Sequence, residues 1–307
     1  MRSFLLITVL TAFASCQALG GGPSEDVESY IALEGDKLLH YRRVGGGEQV
    51  LIVPGKSWCA EDMLGLADDR TVIFYDLRGR GRSDPAPIGT LRLHQDLEDL
   101  EAVRSWFGLE RFALLGTDYK AALCALYAAE HPQHVERLVL VSPTPPRRTP
   151  YLPIYERVFN DGIDRQDMID LGLMRREGVP RHDPVRWAAT YRDALLKGWV
   201  AREASLSRMK SNPFPKPNND PERVLQQYLD LLRTFGDWDW REDAAKIACP
   251  TLVVYGEKDP VPHEGSEEWT RSVPGARSYV VRGSGRMPWF EQSRSFISRV
   301  GDFLDAR

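Results

Sequence analysis

Short, continuous runs of apolar residues recur along this chain, and they constrain the fold more than any other feature. Their content of Val, Ile and Leu is typical of strands buried on both faces of a parallel sheet. The predicted strands cover residues 27–34, 37–44, 49–53, 71–77, 112–115, 138–141, 251–255 and 278–281. Gly35 and Asp36 separate the first two runs, so we expect these two strands to form a hairpin.

Helical patterns lie between the predicted strands. Apolar residues recur at spacings of three and four over 93–107, as in an amphipathic helix that lies on a sheet. Residues 121–129 are apolar on every side, and 289–304 has the pattern of a closing helix. This alternation predicts an α/β fold with a doubly wound, mostly parallel sheet of eight strands.

One long region interrupts the alternation. Residues 145–248 contain no strand pattern but several helical ones, which predicts a helical cap inserted into a core formed by 23–144 and 249–307. Most tryptophans of a cap pack its interior, yet we expect at least one to line an apolar ligand pocket. The candidates are Trp187, Trp199, Trp238 and Trp240.

The N-terminus has the pattern of an export signal. Arg2 precedes an apolar run over 4–13, and Ala12-Phe13-Ala14 resembles a signal-peptidase site. We therefore predict a signal peptide and short linker over 1–22 and a periplasmic or extracellular protein. Lipidation of Cys16 stays open as an alternative, and it is the one route by which we expect contact with a membrane.

Composition excludes several classes of partner. The formal net charge is −4 and no basic stripe is present, so nucleic acid is not expected to bind. His, Cys, Asp and Glu residues form no cluster with the spacing of metal ligands, and no phosphate-binding glycine loop occurs. Neither a metal nor another cofactor is therefore predicted.

Cys59 lies in a predicted loop beside the cleft, and it is the one thiol that this position makes a candidate for reactivity.

Four motifs follow one another in a recognisable order. They are Val53-Pro54-Gly55, the segment 75–84 (YDLRGRGRSD), the turn around Asp118 in LLGTDYKAA (114–122), and Gly256-Glu257-Lys258-Asp259. In this order they resemble the α/β-hydrolase superfamily, in particular its proline iminopeptidase-like and small esterase-like members that carry a cap. The resemblance covers nearly the whole chain after the signal.

The resemblance implies the positions of a catalytic site. Asp118 occupies the nucleophile position at the centre of a Gly-x-Ser-x-Gly-type turn, and Asp259 occupies the position of the acid. Arg286, in Gly283-Ser284-Gly285-Arg286, stands where the superfamily has its histidine. The backbone N–H groups of Lys56 and Tyr119 take the positions of the oxyanion hole.

Arg286 changes the chemistry that these positions can perform. Relatives that use aspartate as the nucleophile, the haloalkane dehalogenases and epoxide hydrolases, need a histidine to activate water against the enzyme ester. Arginine remains protonated and cannot serve as that base. Placed between Asp118 and Asp259, it instead predicts an ion cluster of charge order minus, plus, minus. Lys120, where a small residue is usual, predicts a relaxed turn or a lysine that points outward along the cleft.

Three functions remain open at this point. We favour an exported protein that lacks serine-hydrolase turnover and binds a small, partly apolar ligand, or that runs a different reaction with Asp118 and Arg286. The alternative is an active hydrolase of esters, amides, epoxides or halides, with Asp118 as nucleophile and a relocated base such as His263. A protein-binding role of the cap surface is the third, and no sequence feature supports it.

Overall fold

The computed structural model describes residues 25–161 and 163–306. The predicted signal over 1–22, with Cys16, therefore lies outside the described residues and stays a prediction. Within the described part of the chain, no helix is long and apolar enough to cross a bilayer.

Eight strands form a single sheet, as predicted. In chain order they are β1 (Glu25–Leu33), β2 (Lys37–Gly45), β3 (Val50–Pro54), β4 (Thr71–Tyr75), β5 (Phe112–Thr117), β6 (Val135–Val141), β7 (Thr251–Gly256) and β8 (Arg277–Val281). The spatial order is β1-β2-β4-β3-β5-β6-β7-β8. The pairs β1–β2 and β2–β4 are antiparallel, whereas every pair from β4 to β8 is parallel.

The local sequence explains both kinds of pairing. Gly35 and Asp36 adopt positive φ angles of 75° and 58°, and they close the β1–β2 hairpin in which Leu33 pairs with Lys37. Strands β3, β4, β5 and β7 are buried at every position. Their continuous apolar runs therefore face helices on both sides of the sheet.

Helices cover both faces of the sheet. They are α1 (Lys56–Met63), α2 (Leu93–Trp106), α3 (Tyr119–Glu130), α4 (Leu152–Asp161), α5 (Arg165–Arg176), α6 (Val179–His182), α7 (Pro184–Leu196), α8 (Pro221–Thr234), α9 (Arg241–Ala244), α10 (His263–Ser272), α11 (Pro288–Glu291) and α12 (Ser293–Asp305). The predicted helices at 93–107 and 121–129 correspond to α2 and α3. The predicted closing helix is divided at Gln292 into α11 and α12.

Helices α4 to α9 lie between β6 and β7, where the sequence predicts the cap. Their packing separates the tryptophans into different environments. Trp187 belongs to a small apolar cluster inside the insertion, together with Leu171 and Met174. Trp199 instead joins the apolar core that also contains residues of β3 and β5. Trp238 stacks on Trp240, with ring centroids 5.6 Å apart.

Candidate active site

Asp118 occupies a sharp turn between β5 and α3. Its backbone angles are φ 54° and ψ −131°, a conformation that is unusual for a residue with a side chain. A Cβ atom added at Gly116 would lie 2.3 Å from the carbonyl oxygen of Lys120 and 2.6 Å from Cα of Ala121. The first turn of α3 therefore approaches β5 so closely that only glycine fits, and the turn is not relaxed.

Gly116→Ala is expected to lower the free energy of unfolding by about 1–3 kcal/mol, because the added methyl group collides with backbone rather than with a flexible side chain. Urea unfolding measures the change. Gly172→Ala is the matched control: apart from its own stretch of α5, no atom of the described residues lies within 4 Å of a Cβ added there. That variant should be stabilised by roughly 0.5–1 kcal/mol. Equal effects of the two changes would contradict a tight turn at Gly116.

The structure brings the three triad positions together through Arg286. Its Nη2 donates to Oδ1 of Asp118 at 2.7 Å, and its Nη1 lies 3.2 Å from Oδ2 of Asp259. The side chain of Arg286 is 6% exposed, and those of Asp118 and Asp259 are 19% and 3% exposed. One guanidinium thus bridges two carboxylates away from bulk water, in the charge order that the sequence predicts.

Tyr228 and Thr144, which the sequence analysis did not select, complete this cluster together with Trp199, one of its four candidate tryptophans. The Tyr228 hydroxyl of α8 donates to Oδ2 of Asp118 at 2.8 Å, and Thr144 Oγ1 lies 3.2 Å from Oδ1. The Trp199 ring centroid lies 5.4 Å from Cζ of Arg286, and the Trp199 carbonyl accepts from the Arg286 N–H at 2.8 Å. Trp199 is therefore the tryptophan of the insertion that reaches the site.

A buried carboxylate ties the insertion to the loop that carries Arg286. Glu291 of α11 accepts hydrogen bonds from the N–H of Ala201, in the insertion, and from the N–H of Gly285 at 2.7 and 2.8 Å. Its burial raises the pKa of the Glu291 carboxyl. The backbone around Arg286 is therefore fixed from both sides.

Asp118 is held in its ionised form. Burial by itself would raise the pKa of its carboxyl, but the charges of Arg286 and Lys120 and the hydrogen bonds from Arg286 and Tyr228 outweigh burial. The net result is a pKa below the ordinary value of 3.8. An anion that is so strongly held by donors is a weak base and a weak nucleophile.

His263 lies apart from this cluster. It is the first residue of α10, and its ring packs on Tyr255 with centroids 5.0 Å apart. In residues 25–161 and 163–306, no histidine lines the cavity beside Asp118. The structure therefore does not bring the candidate substitute base to Asp118.

The two backbone groups of the predicted oxyanion hole are available. Lys56 and Tyr119 are the first residues of α1 and α3, where helical N–H groups lack an intrahelical acceptor. Within the described part of the chain, neither N–H has a hydrogen-bond acceptor. The side chain of Lys56 turns away and pairs with Glu28, with Nζ 3.0 Å from Oε1.

Lys120 points inward, contrary to the expectation of an outward lysine. Its side chain crosses the glycine of the oxyanion loop so closely that a Cβ added at Gly55 would lie 2.8 Å from Cδ and Cε. Its Nζ lies 4.7 Å from the ring centroid of Tyr119. The residue is 8% exposed and lines the cavity.

A cavity of about 180 Å³ lies between the sheet edge and the insertion. Its wall is mostly apolar and includes Trp58, Leu195, Leu196, Trp199, Phe214, Leu231, Met287 and Trp289. Its charged lining residues are Asp76, Arg80, Asp118, Lys120 and Arg286. Cys59 lies in α1 rather than in a loop, is fully buried, and has its pKa raised to about 12 by burial, which argues against reactivity.

The described residues contain no group of three His, Cys, Asp or Glu side chains that could hold a metal ion.

The arginines of the segment 75–84 form ion pairs with acidic side chains. Arg78 pairs with Asp99 at 2.5 Å and Arg80 with Asp96 at 2.8 Å. This segment is therefore built as a structural loop.

Residues 54–293 match the family described as alpha/beta hydrolase fold. The chain belongs to this family. A proline iminopeptidase of Heyndrickxia coagulans is 26% identical over 290 residues, which cover 91% of this chain and 99% of that protein. A 2-hydroxy-6-oxononadienedioate/2-hydroxy-6-oxononatrienedioate hydrolase of Pseudomonas putida is 24% identical over 88% of this chain and 92% of its own length.

Solved structures agree on the fold of this α/β-hydrolase family member. The enol-lactonase of Burkholderia xenovorans LB400 superposes with a TM-score of 0.61 at 22% identity, and the match covers 91% of this chain and 100% of the other. The architecture is thus shared with hydrolases, whereas the ionic bridge described above is a property of this chain's own residues.

Proposed function

We propose that this protein binds a small, largely apolar ligand in the cavity beside Asp118 and does not carry out serine-hydrolase turnover. The observation that carries the proposal is the Arg286 guanidinium between Asp118 and Asp259. Acyl transfer needs a group at this place that accepts a proton from the nucleophile and returns it to the leaving group. Arginine stays protonated and can do neither.

Asp118 also fits poorly as the nucleophile of an epoxide or halide hydrolase. One of its oxygens accepts from Arg286 and the other from Tyr228. Attack on carbon would disrupt both hydrogen bonds, which stabilise the Asp118 anion. An ester formed at Asp118 would then persist, because no histidine of the described residues lines the cavity to activate water.

The cavity itself supports a binding role. It has a wall of mostly aliphatic and aromatic side chains with a few charged groups, which is the usual composition of a small-molecule site. Its location at the carboxyl ends of parallel strands agrees with the place where open α/β sheets bind ligands. An exported location remains a separate proposal, which rests on the sequence of residues 1–22.

The proposal is tested by an activity screen together with a binding measurement. Wild-type protein and Asp118→Asn are assayed with p-nitrophenyl esters, prolyl p-nitroanilide, an epoxide and a haloalkane. We expect equal, background rates for both proteins, because in both Arg286 stands where the proton shuttle would be. Turnover in the wild type that disappears in Asp118→Asn would instead support the active hydrolase.

Binding is measured by calorimetry with 3-phenylpropan-1-ol, an apolar probe without a reactive group. Leu225 of α8 lines the cavity, whereas Gln226 next to it is exposed. We expect Leu225→Trp to weaken binding at least about tenfold, as a loss of 1.4 kcal/mol would. The matched control Gln226→Trp should leave the affinity unchanged. Equal affinities of the two variants would contradict binding in the cavity.

A further inference from the structure

Lys120 is a charged residue of the cavity that takes no part in the ionic bridge of Arg286 to Asp118 and Asp259. The other cations near the cavity are paired: Arg80 with Asp96 at 2.8 Å, and Arg286 with Asp118 at 2.7 Å. Lys56, on the neighbouring loop, pairs with Glu28. Among the described residues no carboxylate lies within ion-pair distance of Lys120 Nζ, and the contact found for it is the ring of Tyr119.

Burial of an ammonium group without a counter-ion is costly, and a buried lysine responds by releasing its proton more readily. Desolvation lowers the pKa of Lys120 below its ordinary value of 10.5, although the charge of Asp118 acts in the opposite direction. A larger fraction of Lys120 than of an exposed lysine is therefore neutral at a given pH. A neutral amine in an apolar pocket is the form that attacks carbonyl carbon.

The charges around the cavity favour an uncharged ligand over an anion. In the reactive form, in which Lys120 is neutral, Asp118 and Asp259 carry two negative charges against the single positive charge of Arg286. Near this excess of negative charge a ligand carboxylate would be repelled, whereas an aldehyde or ketone would not. The apolar wall suits a hydrocarbon body attached to such a carbonyl group.

We propose that Lys120 captures small aldehydes or ketones as a reversible imine, so that the cavity is a binding site for apolar carbonyl compounds. This inference rests on the proposed function, since it names the class of ligand that the cavity takes. It gives the lysine a role at the position where the turn would otherwise carry a small residue.

The chemistry balances without an oxidant or reductant. The Nζ lone pair forms a bond to the carbonyl carbon, and the carbonyl π electrons move to oxygen. Protons pass from nitrogen to that oxygen, the C–O bond breaks, and one water leaves as the C=N bond forms. The backbone N–H groups of Lys56 and Tyr119, without acceptors in the described part of the chain, are the available donors for the developing oxyanion.

The test is reductive trapping on the full chain. The protein is incubated with 3-phenylpropanal and sodium cyanoborohydride, which converts an imine into a stable secondary amine. Intact-mass and peptide mass spectrometry then locate the phenylpropyl group. We expect one saturable addition on Lys120, at least about tenfold faster than on any exposed lysine, because a larger fraction of the Lys120 amine is neutral and the cavity holds the aldehyde beside it.

Variants identify the site of trapping. Lys120→Met should abolish the fast addition, and Lys120→Arg should abolish it while keeping a cation in the cavity. Lys246→Met, which removes an exposed lysine paired with Asp243, should leave it unchanged. Circular dichroism of each variant confirms folding, and loss of the label in a folded Lys120→Arg suffices if Lys120→Met fails to fold.

The outcomes separate this inference from the proposed function. Addition spread over exposed lysines, or fast addition that survives in Lys120→Arg, would overturn the imine. Binding of 3-phenylpropan-1-ol without trapping of the aldehyde would overturn the imine and leave the proposed function intact. Absence of binding by the alcohol would contradict the proposed function itself.

Discussion

Arg286→Met is expected to lower the free energy of unfolding by about 3–5 kcal/mol at pH 7, the range found when one partner of a buried ionic cluster is removed. The variant retains the apolar stem but withdraws the guanidinium from between Asp118 and Asp259, whose side chains are 19% and 3% exposed. Two carboxylates then face each other in a poorly solvated site. Urea unfolding at constant pH measures the effect.

A matched variant separates this effect from the loss of any ion pair. Arg233 of α8 pairs with Asp230 at 2.7 Å on the surface, with its side chain 69% exposed. Arg233→Met should change the free energy of unfolding by less than about 1 kcal/mol, as is usual for exposed pairs. A comparable loss of unfolding free energy in Arg286→Met and Arg233→Met would contradict a larger contribution of the buried Arg286 cluster.

The stability of Arg286→Met should depend on pH with a sign opposite to that of the wild type. In the native protein the pKa of Asp118 lies below its ordinary value of 3.8, so its ionised form stabilises the fold above that pH. That contribution is lost as the pH falls through the lower folded value. In Arg286→Met the largest charge that lowers this pKa is gone, so burial raises it and protonation favours the folded state.

The difference in stability between wild type and Arg286→Met should therefore narrow as the pH falls from 7 to 4. Unfolding curves at several pH values measure this directly. A difference that stays constant or widens on acidification would contradict the assignment of Asp118 as a buried anion held by Arg286.

The second large effect is a gain of activity. Asp118→Ser combined with Arg286→His should hydrolyse p-nitrophenyl acetate at least ~10³-fold faster than either single variant, the order of magnitude by which a complete triad exceeds an incomplete one. Asp118→Ser alone has no base, and Arg286→His alone has no hydroxyl nucleophile. Asp259 remains to orient the new histidine, and the turn still presents residue 118 to the cavity.

Two further variants make this result interpretable. Adding Asp259→Asn to the double variant should remove most of the gain, because the histidine then loses the acid that fixes its tautomer. Adding Lys120→Gly should increase the rate, since the lysine side chain lies against the oxyanion loop at Gly55. Failure of both the double and this triple variant to hydrolyse the ester would show that more than the triad separates this cavity from a working esterase.

Much of the fold could be predicted because buried parallel strands leave an unmistakable pattern. Strands such as β5 and β7 are mostly apolar and are buried at every position, and their order along the chain leaves few alternative topologies. Helix α10 could not be predicted in this way because Trp269 is its one buried residue with a large apolar side chain, the other buried residues being Gly265, Ser266 and Glu268. A single apolar residue does not show the recurrence at spacings of three and four that indicates a helix.

The candidate site could be predicted in part. The bridge between Asp118, Arg286 and Asp259 follows from charge and from positions fixed by the sheet. Tyr228 and Thr144 could not be found in this way, because their contacts depend on how the insertion and the loop after β6 dock. The inward direction of the Lys120 side chain could not be predicted either, since spacing fixes the residue's place on α3 but not the direction of its side chain.

The contacts of the insertion with the ion cluster have a consequence for protein engineering. Tyr228 supplies a hydroxyl to Asp118, and Trp199 supplies both a carbonyl and a ring to Arg286. The insertion is therefore not a modular lid that can be exchanged for that of a homologue to graft a new specificity. A chimera would inherit the charges of this core without the donors and acceptors that balance them.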